Sequence, residues 1–272
     1  MEKYRSSTGE ISYRTQGIPQ NPTILFLHGN SCNAKMFDSQ FSTEFKDYYL
    51  VAPNFPGHSK SITEDKERTY SFQGLAEEIK ELTIHLNLES ILMYGASLGG
   101  HVAIELIPML KEKVKGVMIA GTPPFKIPLN IAECFHDLPE TGNIFKPHLN
   151  EEELQELANV WVYQNEVAKE YLKSWVQETD PDFRTVFGDS IIKSQGIGNQ
   201  KEILEQTNCP VAIMTGEHEK MVKREYLKDL KPKHFYRNAI QIIANCAHFP
   251  NLENPKTFNY QLKEFTDYCF QP

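Results

Sequence analysis

The chain has 272 residues, with 28 Lys+Arg against 36 Asp+Glu and a formal net charge of −8. A nucleic-acid surface needs a basic stripe to displace phosphate counterions, so this balance argues against one. With 40% hydrophobic and 24% charged residues, the composition is that of a globular chain and not of a disordered one.

No stretch approaches the roughly 18 uninterrupted apolar residues that a membrane span needs. The start, Met1-Glu-Lys-Tyr-Arg-Ser-Ser7, carries no apolar core of a secretory signal. Five cysteines (Cys32, Cys134, Cys209, Cys246 and Cys269) are odd in number and lack a CxxC pair. A disulfide framework or zinc ribbon is thereby excluded as the organising principle, and reduced, mostly buried thiols in a cytoplasmic chain are expected. One domain with an insertion suits this length.

In chain order, Thr23–Leu27 is a short apolar run that ends in His28-Gly29, and it reads as a buried strand. Tyr48–Ala52 is a second strand, stopped by Pro53. Ser71 caps a helix whose apolar residues fall at Phe72, Leu75, Ile79, Leu82 and Leu86, with Glu77, Glu78, Lys80 and Glu81 expected to face outward. Ile91–Tyr94 is the next strand, Leu98 to Leu110 the next helix, and Lys115–Ala120 a strand again. This alternation implies a parallel sheet with helices on both faces. Past Thr122 the pattern changes. Pro123, Pro124 and Pro128 break the chain, and from Ile131 to Ile192 the periodicity is helical, as at Leu154, Leu157, Val160 and Trp161. Alternation resumes with Pro210–Met214 and Ala239–Ile243, and a last helix runs along Phe258, Leu262, Phe265 and Cys269. The expected division is a core of residues 1–122 and 201–272 with a helical cap insertion at 123–200.

Gly95-Ala-Ser97-Leu-Gly99 matches G-x-S-x-G between a strand and a helix. By composition alone such a match arises about once in ten chains of this size. Its place at a strand-to-helix turn makes it a candidate nucleophile elbow, which lifts the Ser97 hydroxyl above the strand ends. A serine hydroxyl needs a base, and the base needs an orienting acid; where a nucleophile elbow sits on a sheet of this kind, the chain order is Ser, acid, His. His248 directly follows the last strand, whereas His234 precedes it in an expected exposed connection, so His248 is the candidate base. The acid should follow Met214, where Gly216-Glu217-His218-Glu219 offers two carboxylates; Glu219 is preferred because Glu217 lies within the turn itself. The oxyanion hole needs two backbone N–H groups, assigned to Leu98 and Asn30. Gly29 and Asn30 are further expected to contact the substrate.

His58 and His101 read as structural residues beside the site, and His85 and His136 as helix-surface residues. His101 and Glu105 do not form H-E-x-x-H, and neither G-x-x-x-x-G-K-[ST] nor G-x-G-x-x-G occurs, so neither a catalytic metal nor a nucleotide cofactor is expected. Phe125, Phe135, Phe145, Trp161, Tyr163 and Trp175 are candidates for an acyl pocket, with core packing the competing role.

The chain resembles the α/β-hydrolase superfamily over nearly its whole length. The motifs are His28-Gly29-Asn30, Asn54-Phe-Pro-Gly57-His58-Ser59, Gly95-Ala-Ser-Leu-Gly-Gly-His101, Gly216-Glu-His-Glu219 and Ala247-His248. It is most similar to the serine-type, metal-independent N-acyl-homoserine lactonases. His28-Gly-Asn-Ser31, Met118-Ile-Ala-Gly-Thr-Pro-Pro124 and Gly198-Asn199-Gln200 carry that likeness, and a Glu as third triad member accompanies it. Three positions depart. Asn54 stands where the superfamily usually has Asp, Ala247 where a Gly usually precedes the histidine, and Ala96 where those lactonases carry a bulky aromatic, a change expected to widen the pocket.

The resemblance implies an α/β-hydrolase fold and a cofactor-free serine hydrolase acting on a carboxylic ester or lactone, first an N-acyl-homoserine lactone. A carboxylesterase, thioesterase or carbon–carbon-bond hydrolase is the alternative, and a non-catalytic ligand-binding relative a further one. A negative chain favours a neutral or apolar substrate. The expected state is a monomer or weak dimer.

Overall fold

The computed structural model describes residues 1–270. An antiparallel hairpin opens the chain, β1 (Glu2–Arg5) and β2 (Gly9–Gln16). It is absent from the strands expected above. Only Ile11 and Tyr13 carry its inward alternation, packing with Leu82, and two apolar residues are a faint period-two signal.

Then follow β3 (Thr23–Leu27), β4 (Tyr49–Pro53), a two-residue β5 (Ile62–Thr63) and the single turn α1 (Lys66–Thr69). The central units are α2 (Phe72–His85), β6 (Ile91–Ala96), α3 (Leu98–Leu110) and β7 (Val114–Ala120). Between β7 and the next strand lie α4 (Ile131–Cys134), α5 (Glu151–Trp161), α6 (Glu166–Glu178), α7 (Pro181–Ile192) and α8 (Gln200–Gln206). The chain closes with β8 (Val211–Gly216), α9 (Arg224–Lys228), β9 (Gln241–Ile243), α10 (Pro250–Glu253) and α11 (Pro255–Phe270).

The strands form one sheet in the order β1-β2-β4-β3-β6-β7-β8-β9, with β5 on β2. From β4 to β9 all pairings are parallel. The chain leaves β3 for β4 on one side and returns to β6 on the other, so the order reverses between β3 and β6. At such a switch point the connections diverge and leave a crevice beyond the carboxyl ends of the strands. Asn30 follows β3 and Ser97 follows β6, so both stand at that crevice.

Local chemistry explains the helices that frame it. Ser71 Oγ accepts the Gly74 N–H at 3.0 Å and caps α2, which buries Phe72, Leu75, Ile79 and Leu82. Glu78 departs from the outward face expected for it. It is 1% exposed and accepts the Thr8 hydroxyl at 2.8 Å, because the opening hairpin covers that side of the helix. In α5, Asn150 and Glu153 form a reciprocal capping box, and Leu154, Leu157, Val160 and Trp161 are the buried stripe. Every residue of β3, β4 and β6 is buried, and each large apolar side chain so buried contributes about 1.5–3 kcal/mol.

Candidate active site

Ser97 sits on the turn from β6 into α3 with φ 53° and ψ −116°. A side chain in this region costs about 1–3 kcal/mol and persists only where its surroundings hold it. Here the Ser97 N–H donates to Ala120 O at 2.7 Å, Gly100 N–H donates to Ser97 O at 2.9 Å, and the Thr122 hydroxyl donates to Ser97 O at 2.8 Å. The turn is too tight for side chains at its two glycines. A Cβ on Gly99 would lie 2.0 Å from Leu27 O, and one on Gly95 would lie 2.3 Å from Gly99 O. Leu98 is the first residue of α3, so its N–H has no acceptor within the helix and stands at the end that favours negative charge.

The structure brings His248 and Glu219 together. His248 Nδ1 lies 2.8 Å from Glu219 Oε2, with both side chains sealed from solvent. Burial alone would raise the Glu219 carboxyl. The facing His248 and the N–H groups of Met221 (2.7 Å) and Val222 (3.3 Å) outweigh it and hold the group below its ordinary value. An ionised Glu219 only accepts, so in the neutral ring Nδ1 carries the proton and Nε2 keeps a lone pair. That Nε2 is buried with no hydrogen-bond partner among the described residues. The ring packs over Gly121, one residue past β7, while Ser97 stands at the end of the neighbouring β6. Glu217 points elsewhere: it is half exposed, accepts the Asn245 N–H at 3.2 Å and pairs with His218 at 3.6 Å. His234 is exposed in the connection before β9.

Two neutral histidines fix the loop after β3. His28 Nε2 accepts the Phe55 N–H at 2.9 Å, and His58 Nε2 accepts the Ser31 N–H at 3.1 Å. Their Nδ1 atoms lie 2.8 Å from Gly29 O and 3.1 Å from Pro56 O, and those carbonyls can only accept. Burial disfavours the charged ring at both. His28 is held well below its ordinary value, with His58 adding to the effect, and His58 is pushed down to about 4. Asn30, between these anchors, is buried, and its Oδ1 accepts the Ser31 hydroxyl at 2.8 Å. Asn54 uses both ends of its amide, Oδ1 accepting from Ala34 N–H at 2.7 Å and Nδ2 donating to Ser12 Oγ at 2.8 Å.

A cavity of about 590 Å³ opens over Ser97, Leu98 and Asn30, a volume typical of small-molecule sites. Its other walls come from His101 and from the helical segment, including Phe125, Phe135, Ile144, Phe145, Phe187 and Ile191. Of the aromatic candidates, Phe125, Phe135 and Phe145 line it, and Trp161, Tyr163 and Trp175 do not. Gly29 does not line it either; the Phe249 ring packs on its Cα, where a Cβ would meet it at 2.8 Å. Ala96 is fully buried at the end of β6 and is not among the wall residues. His248 also does not line it.

His101 is held by Gln200, whose Oε1 lies 2.6 Å from His101 Nδ1, and burial pushes its ring down to about 4. His85 is exposed at the end of α2, stacked on Tyr4. His136 differs from its expected helical setting: it follows α4 in an extended segment at the cavity rim, where Phe135 bridges Val222. Met221 and Lys223, also at the wall, follow Glu219 in a loop with no period that marks them. A second cleft of about 640 Å³, between Lys35–Ser39 and α6, is lined by Trp175 but by none of Ser97, His248, Glu219, Leu98 and Asn30.

Among the described residues no group of three or more His, Cys, Asp or Glu is arranged to hold a metal, and no helix is long and apolar enough to cross a membrane.

Residues 24–259 match the model of the alpha/beta hydrolase family. The uncharacterized hydrolase YNR064C of Saccharomyces cerevisiae is 29% identical over 109 residues, covering 40% of this chain and 37% of that one, so the chain spans little more than a third of that relative's length. The monoacylglycerol lipase ABHD6 of Mus musculus is 23% identical over 265 residues, covering 91% of this chain and 76% of that one. A solved mutant of the N-acyl homoserine lactonase AidH, complexed with N-hexanoyl homoserine, is 27% identical with a TM-score of 0.91, covering 100% of this chain and 97% of its own.

Proposed function

The chain belongs to the alpha/beta hydrolase family, and on that premise we propose that it is a serine hydrolase of carboxylic esters or lactones, with N-acyl-homoserine lactones as its first substrate class. The observation that carries the reading is the sealed His248–Glu219 pair at 2.8 Å, set over a strand end next to the strained Ser97 turn.

Ser97 Oγ attacks the carbonyl carbon while His248 Nε2 takes its proton. Glu219 holds the ring in the needed tautomer and balances the imidazolium charge. Leu98 and Asn30 N–H groups receive the developing oxyanion. His248 then protonates the departing alkoxide oxygen, leaving an acyl–Ser97 ester, and next activates water to release the acid. In a lactone the alcohol stays tethered, so one ring-opened product forms. The lactone preference draws on the likeness to AidH, whose complex holds a ring-opened acyl homoserine, and on an apolar cavity suited to an acyl chain.

Mass spectrometry of N-hexanoyl-homoserine lactone with wild type and Ser97→Ala tests it. A gain of one water in wild type alone, above spontaneous opening and undiminished by EDTA, is expected. Release of free homoserine lactone would make the protein an amidase. An unchanged lactone alongside hydrolysed p-nitrophenyl esters would replace the lactone by a simple ester.

A further inference from the structure

We propose that Glu253 is a positioning residue of this site, its single carboxylate tying the covering helical segment to the backbone on both sides of His248. The inference rests on His248 being the base.

Glu253 ends α10, in the turn that follows the histidine. Its Oε2 accepts the Tyr163 N–H at 2.7 Å, just beyond α5. Its Oε1 accepts the Ala247 N–H at 2.9 Å and the Phe249 N–H at 3.4 Å. Between those two, the His248 N–H donates to Trp161 O at 3.0 Å. Three successive amides of the histidine loop are thus held alternately by Glu253 and by the end of α5, and Glu253 also holds the chain two residues past Trp161. Two hydrogen bonds cross from this segment to the cover, Tyr163 N–H to Glu253 and His248 N–H to Trp161 O, and two more tie the same Glu253 side chain to the histidine loop. A carboxylate offers acceptors on both oxygens, whereas a neutral acid or an amide presents a donor on one side and faces an N–H with it.

The position is also one where that switch can happen. Burial lifts the Glu253 carboxyl to about 7, against the pull of its three N–H donors and of His248. The other titratable groups around it are Cys246, pushed up to about 12 by burial, and the β8 loop residues Glu217, His218 and Glu219, with His218 stacked 3.6 Å from the Tyr163 ring. The turn Ala34–Phe37 and α11, which pack on α10, bring Lys35 and Lys256, both exposed. The strap is complete above about pH 7 and loosens as pH falls through it.

The test compares kcat/KM for p-nitrophenyl butyrate between wild type, Glu253→Gln and Glu253→Asp across pH. Glu253 and His248 feel each other's charge, so the ratio is read together with hydrogen exchange, which reports the strap itself. Wild type over Glu253→Gln is expected at about tenfold near pH 8, carried by kcat, since sub-ångström misplacement of a catalytic group costs rate. It should shrink toward one by about pH 5.5, when wild type is itself protonated. Glu253→Asp keeps a carboxylate, so it should recover part of the rate and keep a pH-dependent ratio to Glu253→Gln, and it carries the test if Glu253→Gln does not fold. Hydrogen exchange near pH 8 should show lost protection at Tyr163 and Ala247 in Glu253→Gln. A ratio flat with pH, or unchanged exchange, overturns the proposal. A wild type that hydrolyses no ester overturns the nucleophile reading and the catalytic part of this one, while the exchange result still decides the strap.

Discussion

Oε2 of Glu219 sits 2.8 Å from Nδ1 of His248 where neither side chain meets solvent, while Glu217, two residues earlier, faces out toward His218. Glu219→Gln keeps the size but can present an N–H to Nδ1, favouring the wrong tautomer. Loss of about 10²–10⁴ in kcat is expected, with KM little changed. Glu217→Gln should stay within about twofold of wild type, as exposed charges contribute little. Steady-state kinetics on one ester separates the two, and equal losses would reassign the acid.

The buried histidines make the fold sensitive to acid. His58 and His101 titrate near 4 in the folded chain, against an ordinary value of 6.5. Unfolded chain therefore takes up these protons first as pH falls. The contribution of these rings is full above about 6.5 and declines toward about 4, by up to about 1.4 kcal/mol per pH unit for each, while Glu253, raised to about 7, acts in the opposite direction between about 7 and 4.5. Glu219, held below its ordinary 4.5, adds its own loss once pH falls below about 4.5. His58→Asn should lower the urea midpoint at neutral pH yet make its decline toward acid shallower by one proton. Parallel pH profiles in variant and wild type would contradict this.

Gln200 joins both ends of the helical segment to α3. Its Nε2 donates to Glu105 Oε1 at 2.9 Å, its Oε1 accepts from His101 and, at 3.3 Å, from Phe125 N–H, and Glu105 also accepts Gly198 N–H at 2.8 Å. Gln200→Leu leaves these buried groups unmet, at about 1–3 kcal/mol each. A lower Tm is expected, and a raised KM, because His101 and Phe125 are walls of the cavity. Thermal unfolding and kinetics check both, and an unchanged KM would remove the coupling to the site.

Chain-length preference should follow the wall at Ile144, which is buried against the cavity. Ile144→Trp narrows it. Hydrolysis of butanoyl substrates is expected within about threefold of wild type and that of decanoyl ones to fall at least about tenfold, since each buried methylene is worth about 0.8 kcal/mol. Proportional losses for both would place the acyl chain elsewhere.

The parallel core was legible because its strands are unbroken apolar runs and its helices carry a clean stripe behind a capping serine. Ser97, Glu219 and His248 were singled out as candidates by local patterns at strand ends, which one chain segment can display. The hairpin β1–β2 was not, for Ile11 and Tyr13 are too few to mark a strand, and missing it misplaced Glu78. Glu253, Met221 and Lys223 gain their places only through contacts between distant segments, and nothing in their neighbours' spacing announces this. Ala96, the departure beside the candidate nucleophile, is wholly buried in the sheet.

Whether Ser97 is the nucleophile is tested most directly by incubating the protein with a fluorophosphonate and mapping the modified peptide. A stoichiometric adduct on Ser97 is expected in wild type, formed far more slowly in His248→Ala and absent in Ser97→Ala. A wild type left unmodified, or an adduct that persists in Ser97→Ala, would contradict a serine hydrolase built on Ser97, His248 and Glu219.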